Sequence, residues 1–360
     1  MEFNFNRQEI EAVVDKIVKR TMQQDMHWDW PCGVAYYGVA MAYETLKKEE
    51  YLTMLKDRVD ELIDLTDLRA ERLNVNACAM GHALLTLYEA TGEEKYKELI
   101  FAKLDYLSNH ALRFADNVLQ HTVGPNDDFP EQCWADTLFM AALFMLKAGK
   151  MFNNEEWKKD ALHQWVWHIV YLQDEQNGLW YHGYSHAVKN HLSGFHWGRA
   201  NAWAAYTMSQ VRPNLDEWYL YPGAIEVWGS LDEQLVGLKP YITENGLIRT
   251  IIDDEESYEE LSASAGIAAA MVAVWNPLYI KYVNKALPSI LANIDEFGKV
   301  RNVSGGTAVM KDRDGYMNIT KRWIQGWGQG LTLAFFCHLL RRGSGVEVTV
   351  EQTDGGEADE

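Results

Sequence analysis

The sequence predicts an all-α protein, an (α/α)6 double barrel of six inner and six outer helices with short strands in the loops at its mouth. Two observations predict this fold class. Six strongly apolar segments recur along the chain, and amphipathic segments lie between them. A helix that is apolar all round is expected to be fully buried, whereas a helix with one apolar stripe covers a core from outside.

The six apolar segments are expected to form the inner ring. In chain order they read WPCGVAYYGVAMAYETL, NACAMGHALLTLYEATG, CWADTLFMAALFMLKAG, HWGRANAWAAYTMSQV, SASAGIAAAMVAVW and GWGQGLTLAFFCHLL. Each begins with small or polar residues, and their starts lie about 45–70 residues apart. The third helix is predicted to begin near Cys133, which would put Asp136 in its first turn.

The amphipathic segments are expected to form the outer ring. In NEEWKKDALHQWVWHIVYL, Trp157, Ala161 and Trp165 repeat every four residues on one face, and Asn154 is the expected N-cap. Three outer helices run into the sequences DEQNGLWY, TENGLIRT and DEFGKVRN. In each, the glycine suits a turn with positive φ, and the residues after it suit a short strand.

No long linker rich in Pro, Ser or Gly interrupts the 360 residues, so we expect one domain over residues 8–345 and an acidic tail at 346–360. The net charge of −19 disfavours nucleic acid and anionic membranes as partners. The longest apolar run, residues 265–275, falls short of the roughly 18 residues that span a bilayer. The four scattered cysteines and the absence of a secretory signal favour a cytoplasmic protein. A monomer or homodimer is expected, and the sequence does not distinguish the two.

Asp136 is the first candidate for chemistry. It stands in PEQCWADTLFMAALFML, directly before a wholly apolar stretch and two residues after Trp134. A helix N-terminus favours the charged form of a carboxyl group while burial disfavours it, and such competition can set a pKa that suits proton transfer. A structural carboxylate that caps the helix is the alternative.

The segment GLWYHGYSHAVKNHLSGFHWGRANAW, at 178–203, combines histidine, arginine and aromatic residues. A metal site is not favoured, because neither a cysteine nor a helical carboxylate joins the histidines. Hydrogen-bonding and cationic groups for an acidic sugar are favoured, since arginine binds carboxylates in a bidentate manner and aromatic faces contact sugar rings. The candidates in this segment are His182, His186, Trp197, Arg199 and Trp203.

Two further polar residues stand at helix starts. Asn76, in LNVNACAMGH, could be an N-cap, and Asp29, in WDWPCG, is favoured as one. The motifs GxSxG and HExxH and the Walker loop are absent from the chain. The GWGQG sequence at 326–330 lacks the preceding strand of a phosphate loop and indicates tight helix packing instead.

Taken together, these segments resemble the unsaturated rhamnogalacturonyl hydrolases, glycoside hydrolase family 105, which are related to the unsaturated glucuronyl hydrolases of family 88. The resemblance spans residues 28 to 340 or so, and its carriers are CWADTLFMAALFML, GLWYHGYSH, HWGRANAWAA, GHALLTLYEATGEEKY and SASAGIAAAM. It implies an (α/α)6 barrel without metal or other cofactor. The implied substrate is a small acidic unsaturated oligosaccharide, from whose non-reducing end a 4,5-unsaturated uronic acid is removed.

The resemblance also implies a mechanism, hydration of the enol-ether double bond. One aspartate protonates C4 and activates water for C5, and the resulting hemiketal opens and releases the sugar. Matched residue by residue, that aspartate is Asp136, with Trp134 beside the substrate and His182 and Arg199 lining the pocket. His121 matches another pocket histidine more loosely, because the loop after it is longer here.

Asn76 departs from the family pattern, which has an aspartate at this position. Asparagine can hold a hydroxyl or Asp136 in place but cannot share a proton, so the departure bears on the substrate, the pH optimum and the activity. Two alternatives stay open on the sequence: another (α/α)6 sugar enzyme, such as an inverting glycosidase or an epimerase, and a glycan-binding descendant without turnover. An inverting glycosidase needs a second carboxylate about 6.5–9.5 Å from the first.

Overall fold

The computed structural model describes residues 2–65, 73–124 and 129–342. Helices alternate along these ranges between an outer and an inner position, with α1 and the odd-numbered helices to α11 outside, and α2, the even-numbered helices to α10 and α13 inside. In chain order they are α1 (Arg7–Met22), α2 (Trp30–Leu46), α3 (Glu49–Leu65), α4 (Gly81–Thr91), α5 (Glu94–Asp105), α6 (Leu143–Met151), α7 (Glu155–Leu172), α8 (Gly198–Ser209), α9 (Ala224–Leu238), α10 (Leu261–Ala273), α11 (Pro277–Ala292), the short α12 (Arg313–Met317) and α13 (Gly326–Arg342).

Burial separates the two rings as the sequence pattern predicts. Every residue of α10 is buried, whereas the outer helix α3 buries one face, formed by Tyr51, Leu55, Val59 and Leu62. Neighbouring inner helices pack against one another, and α13 packs on both α10 and α2, which closes the ring. The predicted (α/α)6 double barrel is therefore confirmed.

Glycines allow the closest helix contact, between α2 and α13. A Cβ atom added to Gly330 would lie 2.0 Å from the Val34 carbonyl oxygen, and one added to Gly38 would lie 2.7 Å from the Gly330 Cα atom. No side chain fits between backbones at that separation. The tight packing expected for GWGQG is confirmed.

Four short strands lie in the loops at one end of the barrel: β1 (Arg113–Phe114), β2 (Val118–Leu119), β3 (Gln132–Trp134) and β4 (Gly183–Ser185). β1 pairs with β2 and β3 with β4, both antiparallel. The predicted helix start near Cys133 is wrong, because Cys133 pairs with Tyr184 and its backbone is extended. Helical backbone begins at Asp136 and widens over Leu138–Ala142 before it continues as α6, so Asp136 does lie in the first turn, as expected.

The turns after three outer helices follow the prediction. Gly178, Gly246 and Gly298 have φ values of 74°, 79° and 85°. The residues after them form single β-bridges instead of longer strands. The side chains of Asp29 and Asn154 accept backbone N–H groups at the starts of α2 and α7, so both predicted caps are confirmed.

Residue 1 and residues 343–360 lie outside the described residues. The predicted domain boundary at residue 345 and the acidic tail, 346–360, fall outside the described residues. The N-terminal segment forms the helix α1, which buries one face. Across the described ranges, the helices are all too short or too polar to traverse a bilayer.

A pair of glycine substitutions tests the closure of the ring. We expect Gly330→Ala to lower the free energy of unfolding by about 1–3 kcal/mol, because the methyl group must push α13 away from α2. Gly229→Ala is the matched control within α9, where an added Cβ meets no atom within 4 Å, and it should stabilise by up to about 1 kcal/mol. Urea unfolding measures both, and equal effects would contradict the packing described.

Candidate active site

The pairing of β3 with β4 sets the centre of the site. Trp134 lies opposite Gly183, and the Ala135 N–H donates to the His182 carbonyl oxygen at 3.1 Å. Asp136 therefore leaves the sheet facing the side chain of His182, and its Oδ2 lies 3.3 Å from His182 Nε2. Neither atom makes a well-aligned hydrogen bond to any described residue, although both are buried. Buried polar atoms are seldom left in this way, so the pair marks a functional position.

Aromatic rings enclose His182. Its ring centroid lies 4.0 Å from that of Trp197 and 5.4 Å from that of Trp134, and its exposure is 0%. Its second ring nitrogen, Nδ1, lies 3.0 Å from the Tyr316 hydroxyl. Every direction except that of Asp136 is thus occupied by a ring or a hydrogen bond, so the imidazole is held in one orientation.

His121 and Trp134 form one wall beside Asp136. Their rings stack at 4.4 Å with 16° between planes, and His121 Nδ1 lies 2.9 Å from Thr137 Oγ1. The Trp134 indole donates to Gln132 Oε1 at 3.0 Å. The structure therefore brings His121 into the same cluster as Asp136, in line with its loose match in sequence.

The electrostatics of this cluster favour a charged carboxylate beside neutral imidazoles. Burial raises the pKa of Asp136, but the polar contact and electrostatic effect of His182, followed by the electrostatic effects of His121 and Arg199, outweigh it and leave the pKa below its ordinary value. Burial lowers the pKa of His121 to about 4 and also lowers that of His182, against the opposing effect of Asp136. In the free protein, Asp136 therefore holds its proton only under acidic conditions.

Arg199 is buried, with 1% exposure, and both of its terminal nitrogens donate hydrogen bonds to protein atoms. Its guanidinium donates to both the carbonyl and hydroxyl oxygens of Ser304, to the Gly305 carbonyl oxygen and to Thr307 Oγ1, at 2.7–3.1 Å. It also lies 3.5 Å from the carboxylate of Glu260 and over the face of Trp197. These contacts hold the loop at residues 304–307, and direct contact of Arg199 with a substrate stays a prediction.

Asn76 is not the cap of its helix. The side chain that accepts the Ala77 N–H is that of Asn74, at 2.9 Å. Asn76 begins a short 3-10 turn that packs against the wide turn after Asp136, and its buried amide Oδ1 has no hydrogen-bond partner in the part of the chain that the structure describes. The amide is therefore available for a function other than capping.

Two predicted residues lie apart from this cluster. The His186 ring contacts Phe114 and Tyr171, and Trp203 packs on Phe139 with 0% exposure. No contact with Asp136 is described for either side chain, so their assignment to substrate binding stays a prediction.

Sequence reasoning missed three residues that organise the site. The Glu260 carboxylate caps α10 and accepts a hydrogen bond from the Ser304 N–H. The Ser304 hydroxyl oxygen accepts one from Arg199, and the Tyr316 hydroxyl is hydrogen-bonded to His182. Glu260 precedes an apolar helix, which was a usable capping signal. Tyr316 lies in the polar stretch KDRDGYMNITKRW, where no periodic pattern marks it.

A buried carboxylate among histidine and tryptophan rings, at the mouth of an (α/α)6 barrel, is the arrangement of a carbohydrate-active enzyme of the glycoside hydrolase class. The model of Glycosyl Hydrolase Family 88 matches residues 4–343. The chain belongs to this family.

Named relatives agree with that membership. The chain is 45% identical over 338 residues to the unsaturated rhamnogalacturonyl hydrolase YesR of Bacillus subtilis (strain 168), with 94% of this chain and 96% of that protein covered. A possible member of the GH105 family from Salmonella enterica has a TM-score of 0.86 at 25% identity, over 93% of this chain and 94% of that one. The resemblance seen in the sequence is confirmed.

A more distant structure supports the fold alone. The unsaturated glucuronyl hydrolase from Bacillus sp. GL1 has a TM-score of 0.67 at 15% identity, with 92% of this chain and 94% of that chain covered.

The contact between His182 and Asp136 predicts a shifted pH profile. His182→Leu removes the polar contact that lowers the pKa of Asp136, while burial continues to raise it. The carboxyl group then stays protonated to higher pH, so the basic limb of kcat/KM, which reports the free enzyme, should move upward. His191→Leu is the control, because His191 stacks on Tyr181 and should leave the limb in place. A limb that does not move in His182→Leu would contradict this electrostatic account.

Proposed function

We propose that this protein removes a 4,5-unsaturated uronic acid from the non-reducing end of lyase-generated oligosaccharides, with unsaturated rhamnogalacturonan fragments as the first candidates. The observation that carries the proposal is the contact of Asp136 Oδ2 with His182 Nε2 at 3.3 Å, two buried atoms that make no well-aligned hydrogen bond among the described residues and are set among aromatic rings. The 45% identity to an unsaturated rhamnogalacturonyl hydrolase supports the choice of substrate class.

The proposed reaction hydrates the double bond between C4 and C5. Asp136 gives its proton to C4, takes a proton from the water whose oxygen bonds to C5, and so ends the cycle as it began. The hemiketal at C5 then opens and releases the sugar. A bound uronate places a second negative charge near Asp136, which raises the pKa of that carboxyl group and favours the protonated form that the first step needs.

The environment of Glu260 argues against an inverting glycosidase. This acid is fully buried, caps the Ala263 N–H at 2.7 Å, and accepts hydrogen bonds from Ser262 and Ser304. A general base must instead reach a water molecule beside the sugar. With Glu260 excluded, we assign the acid of the described site to Asp136 alone. A hydration mechanism needs only one such carboxyl group.

We propose that Asn76 holds a substrate hydroxyl or Asp136 itself. Its buried Oδ1 lacks a hydrogen-bond partner within residues 2–65, 73–124 and 129–342, and its 3-10 turn packs against the wide turn that follows Asp136. An amide can both donate and accept hydrogen bonds but does not titrate. With asparagine here, Asp136 has no second titrating carboxylate at position 76 to share its proton.

A cytoplasmic setting is part of the proposal. It is supported by the four cysteines, which are all buried free thiols. The expected partner is the small acidic unsaturated oligosaccharide itself. The absence of a metal or other cofactor remains an expectation from the family resemblance.

Loss of the enol-ether ultraviolet band tests the reaction directly. Unsaturated disaccharides from rhamnogalacturonan, glucuronan and ulvan are each mixed with the protein, and we expect the fastest loss with rhamnogalacturonan. Asp136→Asn should reduce the rate by about 10²–10⁴-fold or more, because the amide cannot donate a proton to C4. Circular dichroism checks that the variant is folded.

The other functions give different results in the same assay. Release of sugar with the band intact would overturn hydration and favour an inverting glycosidase. Binding without any chemical change would favour a glycan-binding protein. A faster reaction with glucuronan or ulvan would keep the mechanism and change the substrate.

Substitutions at Asn76 test its role. We expect Asn76→Ala to lower kcat/KM about tenfold through the loss of a hydrogen bond. Asn76→Asp should stay within about tenfold of the natural protein and move the basic limb upward, since a second carboxylate raises the pKa of Asp136. A larger gain in rate for Asn76→Asp would show that asparagine impairs this site, contrary to the proposal.

A further inference from the structure

Tyr316 links α12, which belongs to neither ring, to the centre of the site. Its side chain has 0% exposure. Its hydroxyl oxygen lies 3.0 Å from His182 Nδ1, 3.3 Å from Ser193 Oγ and 3.3 Å from the Met310 backbone nitrogen. None of the sequence patterns that mark Asp136 and its neighbours points to this tyrosine.

The hydrogen-bond roles around His182 can be worked out from its two ring nitrogens. Nε2 faces the Asp136 carboxylate at 3.3 Å, and an ionised carboxylate only accepts hydrogen bonds. Nε2 must therefore carry the hydrogen. Burial lowers the pKa of His182, so the imidazole is neutral and has a single N–H. Nδ1 is then an acceptor, and the Tyr316 hydroxyl is its donor.

The remaining contacts of the Tyr316 hydroxyl fit this assignment. The Met310 N–H can only donate, so it occupies one lone pair of the phenol oxygen, and the Ser193 hydroxyl can donate to the other. Burial raises the pKa of Tyr316 to about 12, so the phenol keeps the proton that it donates. Each donor and acceptor at this oxygen is thereby satisfied.

We propose that Tyr316 is a positioning residue that fixes His182 as the Nε2–H tautomer, with that N–H directed at Asp136. This inference rests on the proposed function of Asp136 as the acid that protonates C4. Tyr316 acts through His182 and need not touch the substrate.

The tautomer controls where the proton of Asp136 can go. If Nδ1 carried the hydrogen, the bare Nε2 would accept a hydrogen bond from protonated Asp136 and hold its proton away from C4. With Nε2–H the ring cannot accept that proton, so C4 is its destination. After the transfer, the same N–H stabilises the carboxylate until water returns a proton. His182 and Tyr316 thus exchange no protons themselves.

Tyr316→Phe tests the proposal against a matched control. The Tyr258 hydroxyl donates to the Tyr316 carbonyl oxygen at 3.3 Å, so Tyr258→Phe loosens the same helix without touching His182. We expect Tyr316→Phe to lower kcat about tenfold with KM within about twofold, and Tyr258→Phe to leave kcat within about twofold. Equal losses in the two variants would overturn the positioning role and leave Tyr316 as an anchor of α12.

Nitrogen-15 NMR of histidine-labelled protein reads the tautomer without any substrate. The signals of His182 are assigned by their loss in His182→Asn. The natural protein should show a protonated Nε2 and a bare Nδ1, and Tyr316→Phe should show a mixture of tautomers.

A protonated Nδ1 in the natural protein would overturn the proposal even if Tyr316→Phe does not fold. The groups that face His182 and could affect the reading are Asp136, His121, Arg199 and Tyr316. Absence of band loss in the natural protein would sink the proposed function, while the tautomer measurement would still stand on its own.

Discussion

The antiparallel pairing of β3 with β4 is the constraint on which the site depends. Three residue pairs, Gln132 with Ser185, Cys133 with Tyr184 and Trp134 with Gly183, fix the register between two loops that belong to different helix pairs. If the register between the two strands shifted by one residue, every side chain of the shifted strand would point to the opposite face. Asp136 and His182 would then no longer meet, whatever the barrel beneath them did.

Gly183 shows how little room that pairing leaves. A Cβ atom there would lie 2.7 Å from Val309 Cγ2 and 2.9 Å from Trp134 Cδ1. The strand therefore runs between the indole and the loop that follows the Arg199 contacts. The buried pair of Arg199 and Glu260 holds that loop through hydrogen bonds to Ser304. Such a pair is weak evidence for stability, and its value here lies in the geometry that it imposes.

Local patterns in the sequence predicted the architecture well. Apolar helices, capping residues such as Asp29 and Asn154, and the glycine turns all depend on neighbours a few positions away, and the structure follows them. Asp136 stood out because a charge before an apolar helix is unusual. The start of its helix could not be predicted, since β3 is held by β4 about fifty residues later. The link between Tyr316 and His182 spans 134 positions and leaves no local signal.

The contact of α2 with α13 also bears on how the chain is made. Among the described helices, α2 and α13 seal the ring, so the barrel cannot close until α13 has left the ribosome. Until then α2 lacks the partner that covers one apolar side. Contacts between residues so distant in sequence slow folding and lengthen the exposure of apolar surface. The emerging chain is thus most prone to aggregate just before α13 emerges, when the other described inner helices exist and the ring is still open.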